Sequence, residues 1–375
     1  MTKKSKMTLA LASMLGITAG ATAVSGFAWF TTTKAATVDI TNIGVYSKSS
    51  ALAVEFTSAV VGCTDNGSTT GSVSVIGASA AATTTDHFKG DGTNNTFTLK
   101  QYANAKPTVT VGGTPVAEGE ITLGTGANGK KVTLTNAPLN NEEVEITYTP
   151  YAALTDVSSI DGLHIYKPTW TATGEGQYAT AIPEISASAD PAVKTGYIQF
   201  TMTLTANGSS DLSVYLNNPQ IKPVNSTAGS PDIAAANLTR VAICEGSTTD
   251  LVIQKSIASN KGIGSDFISA GLTADLSDPV DGVEDAFDLS TLTDVVPAAK
   301  YAIPDDTDKS ILSSAPTANA TNNFVTTVTA GNSKVLTVTI WLEGTCGNTG
   351  SGPEGTFDAS PENGMIEVNL PLIAF

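Results

Sequence analysis

From Tyr197 the chain reads Tyr197-Ile198-Gln199-Phe200-Thr201-Met202-Thr203-Leu204, and from Ile198 onward apolar and polar side chains alternate without a break. A period of two is what a strand with one buried face requires, and β-branched and aromatic residues suit that setting. Asn207-Gly208 follows, then the apolar run at 211–216, so the stretch predicts a β-hairpin turning at Asn-Gly. The same texture extends in both directions. Strands are predicted at 52–56, 72–76, 163–171, 240–245, 251–254, 324–328, 335–344 and 365–370. One short helix is predicted at 231–237, with Ser230 as N-cap and Pro231 at the first helical position, where a missing N–H costs nothing. The expected fold class is all-β, a jelly-roll-like β-sandwich.

A second block interrupts it. After an Ala/Thr/Ser stretch at 77–86, read as a linker, residues 88–149 break into short period-two runs closed by Gly, Asn or Pro: FKGDGTNNTFTL, PTVTVGGTPV, GEITLGTGANGKKVTLTNAP and EEVEITYTP. Five or six short strands in one such block predict a small inserted Ig-like β-sandwich at 87–150, with Phe88, Phe97, Tyr102 and Tyr148 as its core aromatics. The parent sandwich then comprises 29–86 and 151–375. Residues 260–320 are acidic and show no clear period.

Composition fits this reading. Of 375 residues 41% are hydrophobic and only 14% charged, with 34 glycines, too apolar for a disordered chain and too poor in charge for a coiled coil. The net charge of −16 repels a phosphate backbone, and Arg240 is the sole arginine, so nucleic acid is excluded as a partner. Lys3, Lys4 and Lys6 precede an uncharged run at 7–30, the pattern of an export signal at 1–28 cleaved after Ala28, with Ala23 or Ala36 as alternative sites. The run also reaches the roughly 20 residues needed to cross a bilayer, so a retained anchor is the competing reading. The mature protein is expected to be secreted and more acidic still.

Catalytic chemistry finds no foothold. His87 and His164 lie far apart, with neither the paired histidines nor the intervening glutamate of a zinc protease. His164 is expected on the surface of a strand. Cys63, Cys244 and Cys346 form no CxxC pair; one disulfide plus a free thiol and three free thiols both remain open. Asp278, Asp281, Glu284, Asp285 and Asp288 could offer oxygens to Ca2+, but without the spacing of a calcium loop they read as a solvated acidic stretch. No catalytic, cofactor-binding or metal-ligating residue is assigned, and the chain is expected not to be an enzyme.

The junction Gly26-Phe27-Ala28-Trp29-Phe30-Thr31, running into Thr37-Val38-Asp39-Ile40, resembles the start of TasA/camelysin-type secreted proteins. Arg240-Val241-Ala242-Ile243, Thr339-Ile340-Trp341-Leu342-Glu343-Gly344-Thr345-Cys346 and Ile366-Glu367-Val368-Asn369-Leu370 resemble strands of related exported Gram-positive proteins. The resemblance implies a jelly-roll subunit of an extracellular matrix fibre. A metalloprotease label carried by some members has no supporting motif here. The inserted block resembles Ig-like modules of phage structural and bacterial surface proteins.

Residues 29–46 are the candidate polymerisation segment. Val38 and Ile40 share one face of a strand and Ile43 and Val45 the other, the phase changing near Asn42, which predicts a bulge. Freed by signal cleavage, such a strand could complete a neighbour's sheet edge, making the protein its own partner alongside other matrix or cell-surface components. The alternative pairing is within its own chain. The alternative function is a cell-surface adhesin acting through the inserted sandwich.

Overall fold

The computed structural model describes residues 37–44, 52–78, 83–125, 128–152, 154–255 (without 158, 160, 168, 175–176 and 182–183), 300–303, 323–343 and 364–375. Period-two segments rich in Val, Ile, Thr and aromatics become strands throughout, and their apolar faces meet in two layers.

One layer runs in the order β2 (Leu52–Val61), β15 (Tyr197–Ala206), β22 (Ser333–Glu343), β18 (Thr239–Glu245), β19 (Thr248–Lys255) and β20 (Lys300–Ile303). A two-residue strand, β12 (Asp156–Val157), takes over beside the end of β22, pairing with Leu342 and Glu343. The facing layer runs β17 (Gln220–Pro223), β23 (Met365–Asn369), β1 (Thr37–Gly44), β4 (Ser72–Gly77) and β3 (Cys63–Asp65). It is continued by β21 (Phe324–Val328), β16 (Leu212–Leu216) and β24 (Leu372–Ala374). Pro219 and Pro371 lack the N–H a ladder needs, and the Asn217 N–H donates across the gap to the Pro371 carbonyl at 2.7 Å. Between the layers lies one core, to which β15 gives Ile198, Phe200, Met202 and Leu204 and β22 gives Leu336, Val338, Ile340 and Leu342. Each such side chain contributes roughly 1.5–3 kcal/mol on full burial.

The chain leaves β15 without forming the expected hairpin. Both edges of β15 are occupied, by β2 and β22, whereas β16 pairs with β21 and β24 in the facing layer. Residues 207–211 therefore carry the chain across the sandwich, so that Leu212, Val214 and Leu216 are buried against the inner face rather than beside it. Gly62 makes a similar crossing between β2 and β3. It sits at φ +65°, and a Cβ there would lie 2.6 Å from the Tyr197 carbonyl oxygen, so glycine is required.

The expected strand at 163–171 is a second departure. Residues 163–167 form a loop in which the Asp161 carboxylate accepts from the backbone N–H of Leu163 and His164, both at 2.8 Å. A separate hairpin follows, β13 (Thr169–Gly174) with β14 (Gln177–Ala181). Val157, Ile165 and Ile185 of this region cover the outer face of the sandwich, packing with Trp341, Tyr197, Ala242, Cys244 and Val252. That cover explains why β18 and the end of β22 are apolar on both faces.

The helix, α1 (Pro231–Leu238), starts where expected, the Ser230 hydroxyl accepting from the Asp232 N–H at 3.2 Å. The inserted block is a sandwich of two sheets, β5 (Thr84–Lys89), β11 (Glu143–Tyr148), β7 (Thr108–Val111), β8 (Thr114–Pro115) against β6 (Thr96–Thr98), β10 (Lys131–Leu134), β9 (Ile121–Leu123). Its core is separate from the parent's and includes Phe97, Val109, Val132, Val144, Ile146 and Tyr148. β5 begins inside the stretch read as linker. Asp86 faces inward there at 2% exposure, accepting from Tyr148 Oη at 3.0 Å and the Lys100 N–H at 2.8 Å, so its polarity hid a strand. The whole is an all-β sandwich with a smaller sandwich inserted.

Candidate functional site

β1 fills the middle of its layer. Thr37, Val38 and Asp39 run parallel to Met365, Ile366 and Glu367 of β23. On the other side Asp39, Ile40, Ile43 and Gly44 stand antiparallel to Ile76, Val75, Val73 and Ser72 of β4. Between Ile40 and Ile43 the register slips, three steps on β1 matching two on β4. This is a β-bulge, placed where the apolar phase changes in the sequence. It brings Ile40 opposite Val75 and Ile43 opposite Val73; without it, everything after Asn42 would pair one residue out of phase. The flanking residues Val73, Val75, Ile366 and Val368 are all 0% exposed, so the slot that receives β1 is walled by core side chains. Of the candidate polymerisation residues, Val38, Ile40 and Ile43 thus pair within their own chain, whereas Val45, like residues 29–36, lies outside the described residues.

One buried carboxylate ties the rim of this slot to the rest of the protein. Asp232, 2% exposed in the first turn of α1, accepts from the Met365 N–H at 2.9 Å and the Asn225 N–H at 2.8 Å. Met365 is the residue of β23 that pairs with Thr37. The inserted sandwich reaches the same carboxylate: Tyr102 Oη lies 3.5 Å from Asp232 Oδ2, with Lys130 Nζ 4.9 Å above the Tyr102 ring. Burial first, and then the Asp232 charge, push the Tyr102 phenol far above its ordinary range, so it stays a donor. Tyr102 is therefore a contact between the two sandwiches and not a member of the small core expected from the sequence.

The other chemistry-bearing residues are dispersed. Cys63 and Cys244 are buried free thiols, pushed up by burial to about 11 and about 12, far from the thiolate that reactivity needs. Cys346 and the acidic group at 278–288 lie outside the described residues. His164 is exposed on a loop rather than a strand, its Nδ1 2.5 Å from Asp161 Oδ2. That contact, chiefly the hydrogen bond, raises the imidazole above its ordinary value. Arg240 is 1% exposed and donates to the carbonyls of Asn237 and Thr239. His87, solitary in the sequence, is brought beside Glu143 and Glu145 by the pairing of β5 with β11. Sequence reading missed this grouping because the pair lies more than fifty positions away, and only the alternation of Glu143 and Glu145 along β11 hinted at a shared face. Among the described residues no helix is long and apolar enough to cross a membrane.

Fold and slot together define a class: a two-layer all-β protein, carrying a second sandwich, whose strand β1 is held between β23 and β4 of one sheet. No protein-family model, curated protein or solved structure matches the chain.

Proposed function

We propose that this chain is a secreted, non-enzymatic structural subunit of an extracellular fibre or matrix, and that residues 29–46 polymerise it by filling the slot of the next copy. The observation that carries the reading is the position of β1. It is interior to its sheet, flanked by β23 on one side and β4 on the other, yet it is joined to β2 only through 45–51. Withdrawing an interior strand exposes two facing rows of backbone N–H and C=O groups, whereas withdrawing an edge strand exposes one. A slot of that kind accepts the same strand from a neighbour with the same hydrogen bonds, each worth roughly 0.5–1.5 kcal/mol net. Exchange between copies then costs little beyond association, since bonds lost in one chain are regained in the next.

The test is the paired change Val38→Asp with Ile40→Asp in the full chain, together with a chain lacking 29–46. Each variant is imaged by negative-stain microscopy, and the truncated chain is offered a synthetic peptide of residues 29–46. Shortened or absent fibres, with one peptide bound per truncated chain, support the proposal. Fibres of normal length from the double variant sink it.

A further inference from the structure

Antiparallel pairing sets His87 of β5 directly opposite Glu145 of β11, and Glu143 lies two residues along β11 on the same face. His87 Nδ1 is 3.5 Å from Glu145 Oε1 and 3.7 Å from Glu143 Oε1, and the three ligand atoms all lie within 4.8 Å of one another. The geometry points to a divalent transition-metal site on the outer face of the inserted sandwich, built from His87, Glu143 and Glu145 and suited to zinc. Metal–ligand bonds of about 2.0–2.2 Å place neighbouring ligands of a tetrahedral ion about 3.4 Å apart, so each imidazole–carboxylate distance needs a contraction of at most a few tenths of an ångström and the two carboxylates one of no more than about 1.4 Å, within reach of exposed glutamate rotamers.

The donor set selects the ion. One imidazole nitrogen with two carboxylates is a borderline set that favours ions late in the first transition row, whereas calcium and magnesium take oxygen ligands. The supporting shell is present as well. Glu145 Oε2 accepts from Thr110 Oγ1 of β7 at 3.2 Å, leaving Oε1 turned toward His87. A bond of this kind fixes the orientation of a ligating carboxylate. Both glutamates stand on β11, paired on one side with β5 and on the other with β7, so the backbone beneath them is held from both sides. The three side chains are 60%, 66% and 43% exposed, which leaves at least one coordination position for water or for a donor from another molecule. Affinity in the micromolar range is expected of so open a site.

The experiment is titration of the full mature chain with zinc chloride by calorimetry at pH 7.5, with calcium chloride in parallel. One zinc should bind, weakened at least tenfold by His87→Asn and equally by Glu143→Gln with Glu145→Gln, while His164→Asn binds as the unaltered chain does. His87, Glu143 and His164 are exposed and Glu145 is half-buried at the surface, so urea unfolding should change little and a folding failure is distinguished from lost binding. Absence of zinc binding by the unaltered chain overturns the site. So do His87→Asn and the paired glutamine variant binding with unchanged affinity, or calcium binding there as tightly as zinc.

Discussion

Asp232→Ala strikes the point where helix, slot rim and inserted sandwich meet. The substitution removes the acceptor of two backbone N–H groups, those of Met365 and Asn225, in a site only 2% exposed. A buried donor left unpaired costs about 1–3 kcal/mol, and loss of a negative charge in the first turn of a helix adds about 0.3–1 kcal/mol. The long contact from Tyr102 Oη, at 3.5 Å, contributes little more. Water entering the vacated volume returns part of the loss, so the expected destabilisation is about 2–4 kcal/mol. Urea unfolding followed by fluorescence of the buried Trp341 reads it, as a lower midpoint with unchanged slope. Asp232→Asn keeps one carbonyl acceptor and should lose about half as much, whereas Tyr102→Phe should lose under about 1 kcal/mol. A midpoint for Asp232→Ala within about 0.5 kcal/mol of the unaltered chain would refute the reasoning, because surface substitutions fall in that range.

Burial, and then the Glu245 charge, push the Asp250 carboxyl up to about 6 against the opposing pull of Lys334, and its Oδ2 has no hydrogen-bond partner among the described residues. The unfolded chain releases that proton near its ordinary value of about 3.9, so stability falls as pH rises from about 4 to about 6 and the full penalty persists above. Asp250→Asn should therefore stabilise by about 1–2 kcal/mol at pH 7.5, a figure discounted for partial solvent screening, and by nothing at pH 4; equal gains at both values would count against it. Gly62→Ala forces a left-handed backbone and a Cβ 2.6 Å from the Tyr197 carbonyl oxygen, and should cost about 2–4 kcal/mol by the same urea assay. A fragment of residues 83–152 holds the inserted sandwich with its own core and should unfold cooperatively as a soluble monomer, by circular dichroism and sedimentation; an aggregated product argues that contacts such as that of Tyr102 with Asp232 are needed for folding.

Strands were legible wherever one face is buried and the other wet, as in β15, because alternation is then written in the side chains themselves. The bulge of β1 was legible for the same reason, as a change of phase. Strand partners were not. Asn207-Gly208 carries the signal of a tight hairpin, but whether two consecutive strands pair or cross depends on whether the first has a free edge, and β2 and β22 lie far away in sequence. Polar inward residues defeated the pattern too: Asp86 looked like linker because its partners, Tyr148 and the Lys100 N–H, come from elsewhere in the module. The slot was half visible. Its filler could be named from the sequence, but its walls, Val73, Val75, Ile366 and Val368, become a pair of walls only once β4 and β23 lie on either side of β1.

The parallel contact of β1 with β23 also fixes an order of events. Thr37 and Met365 are separated by more than three hundred positions, so the pairing of β1 with β23 cannot form until residue 365 has left the ribosome. β4 is available early and β23 late. For that interval β1 lacks one of its two partners, and on the proposed reading that is when another copy would capture it. Under strand donation as proposed, the concentration of chains weighed against the speed of synthesis would govern whether a chain closes on itself or is captured by another. On that reading, slowing translation ahead of residue 365 should shift newly made protein from monomer toward assembled material without changing a single residue.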